Sequence, residues 1–366
     1  MLTEHFHNPH KDTGHYSNDL RYVLSLQNTI AAFEEIKTWE GYAKTPLHSL
    51  DSMASDIGVK NIYYKDESSR FGLGSFKALG GTYGVLKFIH HALKKEIGDE
   101  VSMKDIHAGK YSEQISKYTV TTATDGNHGR SVAFGAKLFG CKCQIYIHSE
   151  VSSGRQKAME DLEATVNRVS GNYDESLQIC IEDAGKNNWY VISDTSYEGY
   201  TKYPRYIMAG YNVMAEEIID QIKDRPLPTH VFLQGGVGSF PGAICGYFWE
   251  KFPGNNIKFV VVESEHAPCL IRSAQNNQMT SVNIKQETMM AGLSCGEPSL
   301  LGWEILKSGA DDFITINDSS IPGLMRLLAK NNLKIEAGES SVAGLAGLIE
   351  SMEDQKIAKA MGLNKE

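Results

Sequence analysis

The sequence predicts a doubly wound α/β protein. Segments typical of strands alternate with segments typical of helices, and several strands are apolar throughout, as in 257–262. Continuous apolar strands suit a parallel sheet that is covered on both faces, and strand–helix alternation is the pattern that builds such sheets. In these folds ligands bind beyond the carboxyl ends of the strands. Three polar or glycine-rich motifs of this chain fall at that position.

The elements of the first half follow from local pattern. A strand is expected at 61–65, before the long apolar run of a helix at 78–97. The β-prone segment 118–124 breaks at Gly126 and passes into a helix at 131–139. Cys141 and Cys143 alternate with polar residues, as on the buried face of a strand, and lead into a strand at 144–148. The next elements are expected to be helices, at 153–164 and 174–184.

The second half continues the same alternation. Strands are expected at 189–193, 231–234 and 257–262, and helices at 206–222 and 242–251. Pro241 stands where the last of these helices would begin, a position that proline favours. A chain of 366 residues is long enough for two lobes, each with its own core.

Composition favours a soluble enzyme. The apolar share of 41% is ordinary for a globular protein, and a net charge of −9 argues against both a nucleic-acid footprint and a basic membrane-binding surface. The start lacks the basic-then-apolar pattern of a secretory leader, and nowhere do about 18 consecutive apolar residues occur. We therefore expect a cytoplasmic enzyme with a small-molecule substrate and with neither nucleic-acid nor membrane partners.

The six cysteines do not indicate a metal site. Metal binding needs several ligands at suitable spacing, and none accompanies Cys141 and Cys143, so no metal is expected. Cys269 and Cys295 are expected on strand-to-loop segments that face the functional site. A redox-sensitive pair between them is one alternative, and free thiols are the expected state in a reducing cytosol.

Lys77 is the most informative candidate for chemistry. It follows the turn Gly72-Leu73-Gly74-Ser75-Phe76 and stands at the first turn of the predicted helix 78–97. A helix N-terminus carries a partial positive charge that disfavours an ammonium, so we expect the pKa of Lys77 to be lowered. A lysine with a lowered pKa is an amine nucleophile that can form a Schiff base with a carbonyl.

Two more motifs stand where a strand passes into a helix. The first is Thr124-Asp125-Gly126-Asn127-His128-Gly129-Arg130, and the second is Gly235-Gly236-Val237-Gly238-Ser239. A glycine-rich turn at such a junction lets several backbone N–H groups point at one phosphate, and glycine permits the close approach. A lysine for a carbonyl, an Asn-His-Gly turn and a phosphate cradle together indicate pyridoxal phosphate as the cofactor.

Nicotinamide binding is a rival interpretation of the glycine loop. Gly236-Val237-Gly238 follows a strand and precedes a helix, and the next strand ends at Glu263, near where an acidic ribose ligand would sit. However, Pro241 replaces the third glycine, and this interpretation leaves Lys77 and Asn127 without a role. A purely structural turn is a further alternative.

The same motifs carry a resemblance to the fold-type II pyridoxal-phosphate enzymes, the group of threonine dehydratase and tryptophan synthase β, and within it to the diaminopropionate ammonia-lyases. It extends from about residue 42 to residue 363. The motifs that carry it are Lys65-Asp66-Glu67-Ser68, Arg70-Phe71-Gly72-Leu73-Gly74-Ser75-Phe76-Lys77, Thr124-Asp125-Gly126-Asn127-His128-Gly129-Arg130, Glu198-Gly199-Tyr200 and Ala291-Gly292-Leu293-Ser294-Cys295-Gly296-Glu297-Pro298.

The resemblance implies a domain organisation and an assembly. Two doubly wound domains with parallel-rich sheets are expected: a large pyridoxal-phosphate-binding domain of residues 1–87 and 205–366, and a small inserted domain of residues 88–204. The cofactor is expected in the cleft between the two domains. A homodimer is expected by analogy with the group.

The resemblance also implies roles for the motif residues. Lys77 would hold the cofactor as an internal aldimine, be displaced by the substrate amine and then act as a base at Cα. Asn127 would hydrogen-bond the ring hydroxyl of the cofactor; the alternative is an asparagine tolerated in a left-handed turn. Backbone N–H groups would hold the phosphate, and the Ser239 hydroxyl could add a bond; the residues concerned are Gly235, Gly236, Val237, Gly238 and Ser239.

Asp125 and Asp194 are the acidic candidates for substrate binding. Threonine and serine dehydratases of the group usually carry a small neutral residue at the place of Asp125. A carboxylate there could take the Cα proton from the face opposite Lys77, so that Asp125 would process the D-enantiomer and Lys77 the L-enantiomer. It could also pair with a cationic substrate side chain, as could Asp194. The structural alternatives are a helix N-cap for Asp125 and a turn residue for Asp194.

The expected reaction is β-elimination from 2,3-diaminopropionate to give pyruvate and two molecules of ammonia. The first alternative is a dehydratase or deaminase of serine, threonine or 3-hydroxyaspartate. The second is a non-catalytic scaffold of the same fold. It is considered because diaminopropionate ammonia-lyases usually continue past the helix ending near Leu363 into a final strand and loop, whereas this sequence stops at Glu366. In many fold-type II enzymes a Ser or Thr of that region contacts the pyridine nitrogen.

Overall fold

The computed structural model of the chain describes residues 1–124, 126–171, 173–330 and 334–364. Its strands are β1 (Leu2–His7), β2 (Leu47–Ser49), β3 (Tyr63–Lys65), β4 (Thr119–Ala123), β5 (Lys142–Ile147), β6 (Thr165–Arg168), β7 (Tyr190–Val191), β8 (His230–Gln234), β9 (Lys258–Ser264) and β10 (Asp312–Ile316).

The helices alternate with these strands. They are α1 (Asn18–Val23), α2 (Leu26–Ile36), α3 (Asp51–Ile57), α4 (Lys77–Ile97), α5 (Met103–His107), α6 (Ser112–Ile115), α7 (Asn127–Phe139), α8 (Ser153–Glu160), α9 (Tyr173–Asn187), α10 (Lys202–Tyr211), α11 (Val213–Gln221), α12 (Ser239–Lys251), α13 (Cys269–Asn276), α14 (Leu300–Gly309), α15 (Ile321–Lys330), α16 (Ala343–Glu353) and α17 (Gln355–Met361).

Two four-stranded sheets organise the fold. One has the order β6-β5-β4-β7 and is parallel throughout. The other has the order β1-β10-β9-β8, in which β10, β9 and β8 run parallel and β1 adds an antiparallel edge. Strands β2 and β3 form a separate antiparallel pair. This parallel-rich α/β architecture confirms the predicted fold class.

Glycines set how closely the central helix α4 packs against its neighbours α7 and α10. A Cβ on Gly80 would overlap the Tyr211 ring of α10, and one on Gly81 would overlap the Ser131 side chain of α7. Most of the first half of α4 is buried. Because α4 is fixed between these two helices, its first residue, Lys77, is held at a defined place.

Several predicted elements differ in extent from the observed ones. The helix expected at 153–164 ends at Glu160, because the chain turns through a left-handed conformation at Glu163 (φ +65°) and then enters β6. The sequence analysis missed β6 because its residues Thr-Val-Asn-Arg lack an apolar alternation. The helix expected at 206–222 is the pair α10 and α11, which meet at Asn212.

The predicted domain boundaries stay a prediction. The sheet built from β4 to β7 lies within residues 88–204, and the other four-stranded sheet lies outside them. Helix α4 runs through the proposed boundary at residues 87 and 88. Among the described residues, no helix has both the length and the apolar character needed to span a membrane.

Candidate active site

A cavity of about 1290 Å³ opens where strands of both sheets end. The residues that follow β4, β7 and β8 reach its wall, as does the first turn of α4. The lining includes Lys77, Asn127, His128, Asp194 and the segment Gly236–Ser239. The structure therefore brings the three predicted motifs together at the carboxyl ends of parallel strands, where ligands bind in α/β folds.

Lys77 is the first residue of α4 and follows a tightly turned segment. Phe71, Gly72 and Gly74 all have positive φ, at +50°, +69° and +68°. The Lys77 backbone N–H donates to Ser75 Oγ at 3.2 Å. The Lys77 side chain is about a quarter exposed, toward the cavity, and its Nζ forms an ion pair with Asp194 Oδ2.

The electrostatics of Lys77 differ from the sequence-based prediction. Burial favours the neutral amine, but the Asp194 carboxylate and the Tyr211 side chain outweigh burial and raise the pKa of Lys77 above its usual range. The prediction of a lowered pKa was wrong because it rested on the helix N-terminus alone, whereas the Asp194 carboxylate faces Lys77 Nζ. Lys77 is thus an ammonium that must lose a proton before it can attack a carbonyl.

Asp194 is the anionic centre of the site. Burial would raise its pKa, but the Lys77 ammonium and the hydrogen bonds from Lys77 and Tyr211 reverse the effect, so the pKa of Asp194 lies below its usual range. The Tyr211 hydroxyl donates to Asp194 Oδ2 at 3.3 Å. Asp194 therefore stays a carboxylate and holds a cation in the cavity, rather than serving as a simple turn residue.

The glycine loop after β8 leaves a row of backbone donors open. The N–H groups of Gly236, Val237, Gly238 and Ser239 have no acceptor among the described residues, whereas the Gly235 N–H donates to Val262 O at 2.8 Å. Gly235 is thus an extension of the sheet and not a phosphate donor. A Cβ on Gly236 would lie 2.9 Å from Gly292 O and 3.2 Å from Cys295 Sγ, so this approach requires glycine.

Ser239 begins α12 and ties the loop to Asp194. Its hydroxyl donates to Asp194 O at 2.6 Å and lies 3.0 Å from Ser299 Oγ. The proposed bond from this hydroxyl to a phosphate therefore competes with a bond that it already makes. Pro241, predicted at the helix start, is the third residue of α12, where a missing N–H costs no intrahelical bond.

The Asn-His turn after β4 is only partly described. Asn127 is the first residue of α7; its side chain is exposed at the cavity and makes no hydrogen bond to another described residue. It is therefore free to bind a ligand. Asp125, the predicted second base, lies outside the described residues.

The site also contains residues to which the sequence analysis gave no role. Tyr211 reaches Asp194 from the end of α10, 17 residues further along the chain. His128 is buried beside Asp194, and Ser299 completes a hydroxyl chain with Ser196 and Ser239. The position of His128 next to Asn127 was a visible signal, but the contacts of Tyr211 and Ser299 depend on tertiary packing alone.

The nicotinamide interpretation fails on the position of Glu263. This carboxyl group is fully buried and accepts the N–H groups of Leu270 (2.8 Å) and Ile271 (2.7 Å) at the start of α13. It therefore caps a helix and does not face the cavity. Cys269 is the first residue of α13 rather than a strand-to-loop residue, whereas Cys295 lines the cavity. None of the six cysteines, all of which lie among the described residues, forms a disulfide.

Taken together, the site fits pyridoxal phosphate. Four open N–H groups at a glycine cradle suit a phosphate dianion, and a lysine in the same cavity suits a carbonyl carbon. No group of three or more His, Cys, Asp or Glu among the described residues is placed to hold a metal ion. The fold and site define the class of pyridoxal-phosphate-dependent enzymes.

Comparison with known proteins assigns the family. The sequence profile of the "pyridoxal-phosphate dependent enzyme" family matches residues 38–361. Diaminopropionate ammonia-lyase of Escherichia coli K12 is 37% identical over 334 residues, which are 89% of this chain and 82% of the relative. A probable D-serine dehydratase of Carboxydothermus hydrogenoformans is 26% identical, over 85% of this chain and 76% of the relative.

A solved structure agrees with the sequence relatives. The crystal structure of E. coli diaminopropionate ammonia lyase in complex with an aminoacrylate–PLP azomethine reaction intermediate superposes with a TM-score of 0.87 at 34% identity. The match covers 100% of this chain and 92% of that one. The chain belongs to the pyridoxal-phosphate-dependent enzymes and, among them, to the diaminopropionate ammonia-lyase family, as its motifs predicted.

Proposed function

We propose that this chain catalyses the pyridoxal-phosphate-dependent β-elimination of 2,3-diaminopropionate to pyruvate and two molecules of ammonia. Its relationship to the diaminopropionate ammonia-lyases supports the reaction. The observation that carries the proposal is the Lys77–Asp194 pair, which lies in one cavity with the open N–H groups of Gly236–Ser239.

Each part of the cofactor has a matching group in the cavity. Lys77 Nζ would hold the aldehyde carbon, and the N–H groups of Gly236–Ser239 would bind the phosphate, assisted by the N-terminal dipole of α12. The free amide of Asn127 would hydrogen-bond the ring hydroxyl. Bound pyridoxal phosphate supplies an electron sink for negative charge at the substrate Cα.

The protein residues supply the proton transfers and the charge recognition. A neutral Lys77 amine that no longer holds the cofactor would take the Cα proton of the L-enantiomer. We assign the same task on the opposite face to Asp125, for the D-enantiomer. Asp194 stays ionised and already pairs with an ammonium in the cavity, so it can hold the cationic β-amino group of diaminopropionate.

The charge of Asp194 also separates this reaction from the dehydratase alternative. A serine or threonine hydroxyl offers this carboxylate only a neutral hydrogen bond, which is weaker than one from a cation. A diamino substrate offers the carboxylate an ammonium. We therefore propose a preference for diaminopropionate over serine, threonine and 3-hydroxyaspartate.

The test is to supply the purified chain with pyridoxal phosphate and to measure pyruvate and ammonia from each amino acid. We expect two ammonia molecules per pyruvate from diaminopropionate and much slower pyruvate release from the hydroxy amino acids. Lys77→Ala should abolish turnover. Faster turnover of serine or threonine would assign the chain to the dehydratases, and no turnover of any amino acid would support the scaffold alternative.

Two further points belong to the same proposal. We assign the enzyme to the cytoplasm and to a homodimeric state, both of which rest on the sequence analysis and on analogy within the group. Sedimentation velocity of the cofactor-loaded protein tests the homodimer, and a monomer at micromolar concentration would refute it.

A further inference from the structure

His128 is a buried titratable residue of the cavity to which the proposed reaction gives no task. It is the second residue of α7 and is 8% exposed. Its Nε2 lies 2.8 Å from Ile192 O. Because a carbonyl oxygen can only accept, Nε2 carries the ring proton and Nδ1 of the neutral ring is left with a lone pair.

That Nδ1 atom is unusual in its surroundings. It is buried and has no hydrogen-bond partner among the residues that the structure describes. It lies 3.9 Å from Asp194 Oδ2, the same oxygen that accepts the Lys77 ammonium. Buried nitrogen atoms without a partner are exceptions that call for an explanation.

Lys77 and His128 compete for one carboxylate. Burial lowers the pKa of His128, Asp194 raises it, and the Lys77 charge lowers it again, with a net lowering that keeps the ring neutral. When Lys77 loses its charge, one of the two influences that lower the pKa of His128 disappears, and the influence of Asp194, which raises this pKa, remains. The ring would then need to move by about 1 Å for Nδ1–H to reach hydrogen-bond distance of Asp194.

We propose that His128, acting through Asp194, accepts the proton that Lys77 must lose before Nζ can bond to the cofactor. This inference rests on the proposed function and deepens it. A proton passes from Lys77 Nζ to Asp194 Oδ2, and Asp194 passes a proton to His128 Nδ1. The freed lone pair of Nζ would then attack the aldehyde carbon, and the aldehyde oxygen would leave as water with the two protons that remain on Nζ.

The charges of the cluster balance through this transfer. It begins as a lysine ammonium, an aspartate and a neutral imidazole, and it ends as a neutral amine, an aspartate and an imidazolium. One cation and one anion are present before and after the transfer, so no net charge has to leave the buried site. Among the residues that the structure describes, Tyr211 is the further titratable group at this carboxylate; burial raises its pKa, so the phenol remains neutral.

The chain offers a matched pair of variants to test the proposal. In His128→Gln the side-chain amide can still donate to Ile192 O, but the base is gone. His90→Gln is the control, because His90 also has Nε2 on a backbone carbonyl (Val101 O, 3.0 Å) and a buried, unpartnered Nδ1, yet it does not line the cavity. The loss of the imidazole should affect the stability of the fold to a similar degree in both variants.

The first measurement is the rate at which apo-protein forms lysine-bound cofactor, followed by visible absorbance across a pH series. We expect His90→Gln to match wild type, and His128→Gln to be slower by about a hundredfold near neutral pH, the usual effect of a positioned base. The difference should shrink at alkaline pH, where hydroxide removes the Lys77 proton. A purely structural role of His128 would not produce this pH dependence.

The second measurement is ¹⁵N NMR of the histidine side chains in the wild-type protein. We expect His128 Nδ1 to be unprotonated in the apo-protein and protonated once the cofactor is bound. The proposal is overturned if Nδ1 stays unprotonated in the loaded protein, or if His128→Gln follows the wild-type rate and pH profile. A wild-type protein that forms no lysine-bound cofactor would instead refute the proposed function itself.

Discussion

Gly236→Ala is the sharpest test of the phosphate cradle. The new Cβ would lie 2.9 Å from the backbone oxygen of Gly292 and 3.2 Å from Cys295 Sγ. A backbone carbonyl cannot rotate away as a side chain can, so the loop itself must shift. A shift that removes one N–H bond to the phosphate removes about 2 kcal/mol, the usual contribution of a hydrogen bond to a charged group. This corresponds to a roughly thirtyfold weaker affinity for pyridoxal phosphate.

The assay is titration of the apo-protein with pyridoxal phosphate. Gly185→Ala is the matched control, because Gly185 lies inside α9 and a Cβ there would meet no atom within 4 Å. The control should bind the cofactor like wild type and be slightly more stable, since alanine favours a helix. If Gly236→Ala binds as tightly as wild type, the phosphate does not lie at this loop and the cofactor assignment of Gly236–Ser239 is wrong.

Three further variants test other parts of the structure. Glu217→Gln should lower the free energy of unfolding, measured by urea denaturation, by about 3 kcal/mol, because Glu217 is the fully buried partner of Arg70. An unchanged midpoint of the urea transition would mean that the pair makes no net contribution to stability. Asp125→Asn should reduce turnover of D-diaminopropionate about a hundredfold and of the L-enantiomer less, and an equal loss would reassign Asp125 to orientation. Asp194→Asn removes the anion that holds the pKa of Lys77 above its value in the unfolded chain, so acylation of Lys77 in the apo-protein should begin at lower pH. In wild type the Lys77–Asp194 pair stabilises the fold at neutral pH, and this contribution is lost only as pH rises through the raised pKa. The variant should lack this contribution already at neutral pH. An unchanged acylation profile would mean that Asp194 does not control Lys77.

The sequence predicted well what depends on local pattern. The junctions at Lys77, at Asn127 and after β8 are each marked by glycines next to an apolar segment, and parallel strands necessarily place such junctions at one edge of their sheet. The sequence alone therefore indicates that these three junctions lie close together.

The sequence did not predict what depends on distant contacts. The pKa of Lys77 is governed by Asp194, which lies 117 residues away in the chain, and the helix N-terminus alone gave the wrong direction. The Ser239 hydroxyl is similarly engaged by Asp194 O, which no local motif reveals. Strand β6 was missed because a polar edge strand has no apolar alternation to indicate it.

The most direct test of the central claim is borohydride reduction followed by peptide mass spectrometry. The purified chain is loaded with pyridoxal phosphate and reduced with and without prior addition of diaminopropionate. We expect a single pyridoxyl-modified lysine, Lys77, whose modification falls when the substrate amine has displaced it. Modification of a different lysine, or a Lys77 adduct that the substrate does not change, would contradict the account.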